Sequence, residues 1–361
     1  MIIVRTPLRV SFFGGGTDHP VWFKGAGANR GAVLSTSINK YVYLTLRRLP
    51  PIFDFKYRIA WRIVEQVNNV DDIKHPVVRE VLRHYTVDDG YGFEVSFNSD
   101  LPARSGLGSS SAFTVAALHA ISRHSGAEYS KKQLCLEAIK LEQEYLQEPV
   151  GCQDQIAVGH GGFNRIDFHQ DGSYSVLPVD ISPRRLRSFE SHLMMFFTGF
   201  TRDAGSIEKS KFENITAAKE ISLNRLYDLV GRAHAIVEDP RADLQEFGNL
   251  LHETWMAKRT LSSAVSNSKI DTVYDSAINA GAFGGKLLGA GGGGFLLFFV
   301  HPDRHMAVGR ALNILSKREG INLVQVPICM EGEGSSVVLH QPDFESVSRY
   351  APAKVDLLAR V

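Results

Sequence analysis

The chain has 361 residues, enough for two moderate domains or one large α/β unit. Its 40 basic and 39 acidic side chains give a net charge of +1, which leaves no electrostatic footprint for nucleic acid or an anionic membrane, so an anionic ligand has to be held by local groups. The opening MIIVRTPLRV is too short an apolar run for a secretory signal, no stretch reaches the roughly 18 apolar residues of a membrane span, and the widely spaced Cys135, Cys152 and Cys329 fit reduced thiols in a cytoplasmic protein.

Short strands are predicted at MIIVRT, LRVSFF, AVLSTSI and YVYLTLRR, rich in Val, Ile, Tyr and Leu between glycine-rich or polar breaks, and again at GFEVSFNSD. Residues 101–121, LPARSGLGSSSAFTVAALHAI, then place two glycines and three serines ahead of a helical run of small and apolar residues. KKQLCLEAIKLEQEYLQ predicts a helix with Leu134, Ala138, Leu141 and Tyr145 on one face, and GGFNRIDFHQDGSYSVLPV a hairpin around Asp171-Gly172. HLMMFFTGF reads as a buried strand that opens a second half. Two long helical patterns follow at about 206–235 and 241–266, then strands within GKLLGAGGGGFLLFFV, NLVQVPI and SSVVLH. Strands and helices do not alternate regularly, so the chain reads as α+β in two lobes, 1–185 and 186–361, with the boundary between Ser182 and Phe189.

Three glycine-rich stretches, FFGGGTDHP, RSGLGSSSA and GGKLLGAGGGGF, each lie beside regular structure, which implies positive φ or close approach of a ligand to the backbone. In the middle one, small residues at a helix entrance would let phosphate oxygens reach the unpaired N–H groups and the positive end of the macrodipole. The serine hydroxyls add donors or Mg²⁺ ligands. A plain serine N-cap would need one serine rather than three. The nucleotide-binding patterns built on glycine do not fit: Gly285-Lys286 is followed by Leu287, and the G-x-G-x-x-G of Gly289, Gly291 and Gly294 leads into a strand where a helix is required. That third stretch reads as a connection between two buried strands.

In order and together, TPLRVSFFGGGTD, LPARSGLGSSSA and GGKLLGAGGGGFLLFF resemble the three signature motifs of the galactokinase, homoserine kinase, mevalonate kinase and phosphomevalonate kinase (GHMP) superfamily. The resemblance runs from Arg5 to about Val300, with one extra serine in the second motif. It implies a two-lobed α+β fold whose N-terminal lobe is like domain 2 of ribosomal protein S5. It also implies ATP-dependent, Mg²⁺-assisted phosphorylation of a small hydroxyl compound.

Carried over residue by residue, the resemblance puts the ATP-binding loop on Arg104, Ser105, Gly106, Leu107, Gly108, Ser109, Ser110 and Ser111. It puts the metal on Ser110 and Glu142, with Glu144 as the displaced choice, and the catalytic base on Asp154 in GCQDQ. Arg9 takes the basic position of the first motif, near the base and the transferring phosphoryl group. Read as a plain strand residue, it would point outward between Leu8 and Val10. Gly16, Thr17 and Asp18 fall where sugar hydroxyls are accepted, and Arg202 of FTGFTRD in a loop that touches phosphate or substrate. Gly289, Gly291, Gly292 and Gly293 form the third motif.

The first motif lacks the acidic residue and histidine of galactokinases and most resembles that of the D-glycero-D-manno-heptose 7-phosphate kinases, with fucose kinases next. This implies phosphorylation of the anomeric hydroxyl of a sugar phosphate on the way to nucleotide-activated heptose for surface polysaccharide. Lys24, Arg30, Arg202 and Lys258 are cations available for the substrate phosphate. The implied partner is that small molecule, with no nucleic acid and no membrane, and a homodimer is compatible. A non-catalytic ATP- and sugar-binding sensor on the same fold would lack the base or the metal ligands, which are present.

Overall fold

The computed structural model describes residues 1–25, 30–200 and 216–342. In chain order the first part runs β1 (Ile2–Phe13), α1 (Pro20–Phe23), β2 (Gly31–Leu49), β3 (Tyr57–Ala60), β4 (Val64–Val67), α2 (Pro76–Tyr85), β5 (Gly92–Ser99), α3 (Ser109–Ser125) and α4 (Lys131–Lys140). A π-helical turn (Leu141–Tyr145) continues α4 and is followed by α5 (Gln153–His160), β6 (Phe163–Phe168), β7 (Tyr174–Pro178) and α6 (Pro183–Glu190). The second part contains β8 (Leu193–Phe197), α7 (Ala217–Glu238), α8 (Leu244–Arg259), α9 (Ser268–Asn279), β9 (Ala282–Leu287), β10 (Phe295–Val300) and α10 (His305–Glu319). It ends with β11 (Val324–Val326), β12 (Met330–Glu331) and β13 (Ser336–His340).

The four short strands predicted at the start are two long ones. Irregularities in the β1–β2 ladder fall between Pro7 and Leu8 and between Ser11 and Phe13; Pro7 has no N–H to give the ladder, so the chain bulges there instead of ending. Among the described residues β2 is the spine of a nine-stranded sheet ordered β13-β1-β2-β5-β3-β4, with β6 and β12 paired to the N-terminal half of β2 and β7 paired to β6. The hairpin at Asp171-Gly172 forms as predicted, β6 against β7. A second sheet, β11-β8-β10-β9, joins β9 and β10 antiparallel across the third glycine stretch.

The division at 185/186 cuts through α6 and leaves out a return of the chain: β13 pairs with β1 and β12 with β2. These strands are short and polar on one side, so their sequence does not say which sheet they join. α3 packs on β1 and β2 and is buried almost all round, which explains its run of Ala112, Ala116, Ala117 and Ala120.

The lobes share one core. Phe12 and Phe13 at the end of β1 meet Phe247 of α8 edge-on, and Phe189 of α6 closes on Phe12, Phe247 and Phe299. Beside them Lys286 of β9, 1% exposed, donates from Nζ to the carbonyl oxygens of Ser11 (2.9 Å) and Phe12 (2.8 Å). Phe247→Ala is therefore expected to cost about 3–5 kcal/mol and to lower one common unfolding transition. Calorimetry that resolves two transitions, with only one of them displaced, would contradict a shared core.

Candidate active site

The site begins with a helix that no side chain caps. Gly108 holds the N-cap position of α3 in the left-handed region, φ 71°, and nothing bonds back to the first turn from a side chain. The N–H groups of that turn and the positive end of the helix dipole are left to a cavity of about 350 Å³, lined by Ser109, Ser110 and Ser111. The serine N-cap that the sequence also allows is thus not formed. The three serines divide: Ser110 is exposed, whereas Ser111 is buried and donates to Oε2 of Glu142 at 3.0 Å.

Arg9 faces inward from β1, only 3% exposed, with its guanidinium spread over three acceptors. Nε and Nη2 donate to the two carboxylate oxygens of Asp154 (2.8 and 2.7 Å), and Nη1 donates to the carbonyl of Gly106 (2.6 Å). Flanking residues are buried on both faces of this part of β1, so there is no outward side for an arginine to take. Asp154 lies in the first turn of α5, where the helix dipole favours its negative charge. Its side chain remains about a quarter exposed and borders the cavity. The space beside Gly108 is also tight: a Cβ there would stand 3.1 Å from Cγ of Arg9, with Oδ2 of Asp154 in ordinary contact at 3.4 Å.

Asp18 anchors the loop after β1 to the same helix. Oδ1 accepts from the Gly16 N–H (2.8 Å), Oδ2 from that of Gln153 (3.3 Å), and its carbonyl from that of Cys152 (3.0 Å). Gly16 and Asp18 line the cavity, but Thr17 does not. Thr17 is fully buried and staples the loop, bonding the carbonyls of Gly14 and Ala32, so the sequence-based substrate role is replaced by a structural one.

Within the second motif Arg104, Gly106 and Gly108 to Ser111 border the cavity. Ser105 and Leu107 turn away: Ser105 donates to the Pro102 carbonyl, and Leu107 is a core residue whose carbonyl accepts from the Arg9 N–H.

Of Glu142 and Glu144, only Glu142 turns toward the cavity. The π-helical turn, a form of widened helix common at functional sites, buries Glu142 to 1% exposure and turns Glu144 to solvent. Oε2 of Glu142 accepts from Ser111 and from Nε2 of Gln155, while Oε1 has no donor. Burial pushes the Glu142 carboxyl up to about 8, against the partial opposition of the Thr114, Gln155 and Ser111 dipoles.

From the second lobe come Lys258 of α8 and the turn at Gly289-Ala290. The glycines of the third motif serve mainly as close backbone contacts. A Cβ on Gly289 would lie 2.4 Å from Cα of Gly106, one on Gly291 2.7 Å from Cα of Val265, and one on Gly293 2.8 Å from Phe200; the Gly292 N–H donates to the Val265 carbonyl. Of the four cations considered for a substrate phosphate, Lys258 borders the cavity, Lys24 and Arg30 are exposed beyond its walls, and Arg202 lies outside the described residues. Sequence reasoning missed Gln153 and Gln155, which flank Asp154 in GCQDQ, and gave His19 no task although it borders the cavity. The paired glutamines were the available signal.

Comparison with known proteins agrees with this architecture. Residues 73–162 match the family described as GHMP kinases N terminal domain, and residues 233–319 match GHMP kinases C terminal. A D-glycero-alpha-D-manno-heptose 7-phosphate kinase of Campylobacter jejuni is 29% identical over 86% of this chain and 93% of its own length. An L-fucokinase/L-fucose-1-P guanylyltransferase of Bacteroides fragilis is 28% identical over 84% of this chain but only 35% of that protein. Among solved structures, a D-glycero-D-manno-heptose 1-phosphate kinase from Bacteroides thetaiotaomicron superposes with a TM-score of 0.73 over 95% of this chain and 100% of that one, at 22% identity, which establishes the shared fold. The chain belongs to the GHMP kinase superfamily and is an ATP-dependent phosphotransferase.

The buried carboxyl makes a test that needs no substrate. Folding raises the pKa of Glu142 above its ordinary 4.5, so between that pH and about 8 the native state holds a proton that the unfolded chain has lost. Its contribution to stability is fully present below 4.5 and is lost as the pH rises through about 8. Glu142→Gln should therefore gain on the parent by roughly 2 kcal/mol or more between pH 5 and pH 8.5, measured by denaturant unfolding without nucleotide or Mg²⁺. An equal difference between the two proteins at both pH values would contradict the burial argument.

Proposed function

We propose that the protein transfers the γ-phosphoryl group of ATP to the anomeric hydroxyl of D-glycero-D-manno-heptose 7-phosphate, giving the 1,7-bisphosphate. The observation that carries the kinase chemistry is the convergence on one cavity of an uncapped helix mouth and a carboxylate locked by a buried arginine. The sugar follows from the first motif and from the likeness to the Campylobacter heptose 7-phosphate kinase. The fucokinase likeness makes fucose the rival substrate.

Phosphoryl transfer asks chiefly for positioning and for compensation of charge. In this reading the N–H groups at the start of α3 bind the triphosphate, with Arg104 over its exposed side. Asp154 accepts the proton of the attacking hydroxyl, and Arg9 fixes both its oxygens so that the carboxylate cannot rotate away. Arg9 also brings a positive charge close to the oxygens of the phosphoryl group in flight. Lys258, buried on the cavity wall with Nζ donating to the Gly289 carbonyl, adds positive charge on the side of the second lobe, toward a substrate phosphate.

The site also fits Mg²⁺. Ser110 and the donorless Oε1 of Glu142 supply hard oxygens, one of them a carboxylate oxygen, and the ion would complete its shell with phosphates and water. When bound, the ion would neutralise charge developing on the transferred phosphate. No helix among the described residues is long and apolar enough to cross a membrane. The three cysteines are free thiols, which suits the reducing cytoplasm expected from the sequence.

Asp154→Asn is expected to reduce kcat by about 10²- to 10⁴-fold with little change in ATP affinity, because the triphosphate is held by α3 and not by α5. It should also lower stability by about 1–3 kcal/mol, since Arg9 then faces an amide nitrogen in place of one acceptor. A variant that keeps a third or more of parental kcat would remove Asp154 from the chemistry. For the substrate, kcat/KM with heptose 7-phosphate should exceed that with the unphosphorylated heptose by roughly 10²-fold or more, two charged hydrogen bonds being worth about 1.5–3 kcal/mol each. Equal use of the two heptoses, or a preference for fucose, would overturn the sugar assignment while leaving the kinase.

A further inference from the structure

Gln155 is fully buried, one residue beyond the carboxylate proposed as base, and its amide is held at the nitrogen end. Its Nε2 donates to Oε2 of Glu142, and this defines the amide orientation, since the opposite one would set a carbonyl oxygen against a carboxylate oxygen. Ser111 donates to the same Oε2 at 3.0 Å. Two donors thus converge on Oε2 of Glu142 and no hydrogen bond reaches Oε1, although the Thr114 hydroxyl lies close enough to the carboxyl to favour its charged form. The nearby Thr114 hydroxyl directs its proton to the Ser110 carbonyl at 3.2 Å.

The result is a pair of orphans. Oε1 of Glu142 and Oε1 of Gln155 are both buried acceptors without a donor, and both residues border the cavity beside Ser110. Buried acceptors are ordinarily satisfied, and two of them on side chains bonded to each other call for a shared partner that supplies positive charge or protons.

We propose that Gln155 is a positioning residue for the divalent cation: with Ser111 it pins Oε2 of Glu142, so that Oε1 of Glu142 faces the ion and Oε1 of Gln155 accepts from the water shell of the ion. The inference rests on the kinase reading. It assigns the ion a support that the ligands Ser110 and Glu142 alone do not supply, because a buried carboxylate without the pin could turn either oxygen away. Outer partners of this kind commonly change metal affinity by about 10- to 100-fold.

The test measures metal binding directly. Mn²⁺ is titrated into the full-length protein with ADP present, and bound ion is read by electron paramagnetic resonance for the parent, Gln155→Met and Ser111→Ala. Gln155→Met keeps the length and removes the amide; it should bind Mn²⁺ at least tenfold more weakly, with ADP affinity in EDTA unchanged and with kcat recovering as Mg²⁺ is raised. Ser111→Ala removes the other half of the pin and should weaken Mn²⁺ by about threefold to tenfold, which keeps the test open should Gln155→Met not fold. Parental Mn²⁺ affinity in both variants would overturn the role of Gln155 and leave the kinase reading standing. No nucleotide-dependent Mn²⁺ binding by the parent would overturn both.

Discussion

The site is organised by a buried cation that cannot be left alone. An arginine at 3% exposure is tolerable only with full compensation, because the guanidinium gives up water on every side. Arg9 obtains this from Asp154 and from the Gly106 carbonyl, and in doing so joins β1, the loop of the second motif and the start of α5. The glycine at 108 follows first from its left-handed backbone, and a side chain there would also crowd the Arg9 side chain.

The second lobe supports this arrangement from behind. Gly289 and Gly294 bring the β9–β10 turn into backbone contact with Gly106 and Ser105, and the Phe295 N–H donates to the Ser105 carbonyl. Lys286 reaches across the interface to the end of β1, two residues beyond Arg9 and further. The glycine-rich third motif thus shapes the phosphate loop by leaving room for it. It contributes little more than Gly289 and Ala290 to the cavity wall.

Much of this was legible in the sequence because motifs record local backbone demands. The glycines and serines at 106–111, the basic residue at 9 and the carboxylate at 154 each report a constraint that acts within a few residues, and the structure gathers them around one cavity. What could not be read depends on contacts distant in the chain. Whether Glu142 or Glu144 turns inward depends on one π-helical turn, and a period-3.6 reading of 131–147 has no means of registering it. The same holds for Thr17, a hydroxyl whose partners at Gly14 and Ala32 become neighbours only when β1 and β2 pair. The return of β12 and β13 to the first sheet is likewise a matter of which edge is open, not of strand propensity.

The central claim is that the mouth of α3 holds the triphosphate and that the Arg9–Asp154 pair meets the acceptor hydroxyl. It is tested most directly by a crystal structure with a non-hydrolysable ATP analogue, Mg²⁺ and heptose 7-phosphate. The expected result is a triphosphate against residues 106–111 and the anomeric oxygen about 2.6–3.2 Å from an Asp154 oxygen. A triphosphate bound along residues 289–294 with the entrance of α3 vacant, or an anomeric oxygen beyond reach of Asp154, would contradict it.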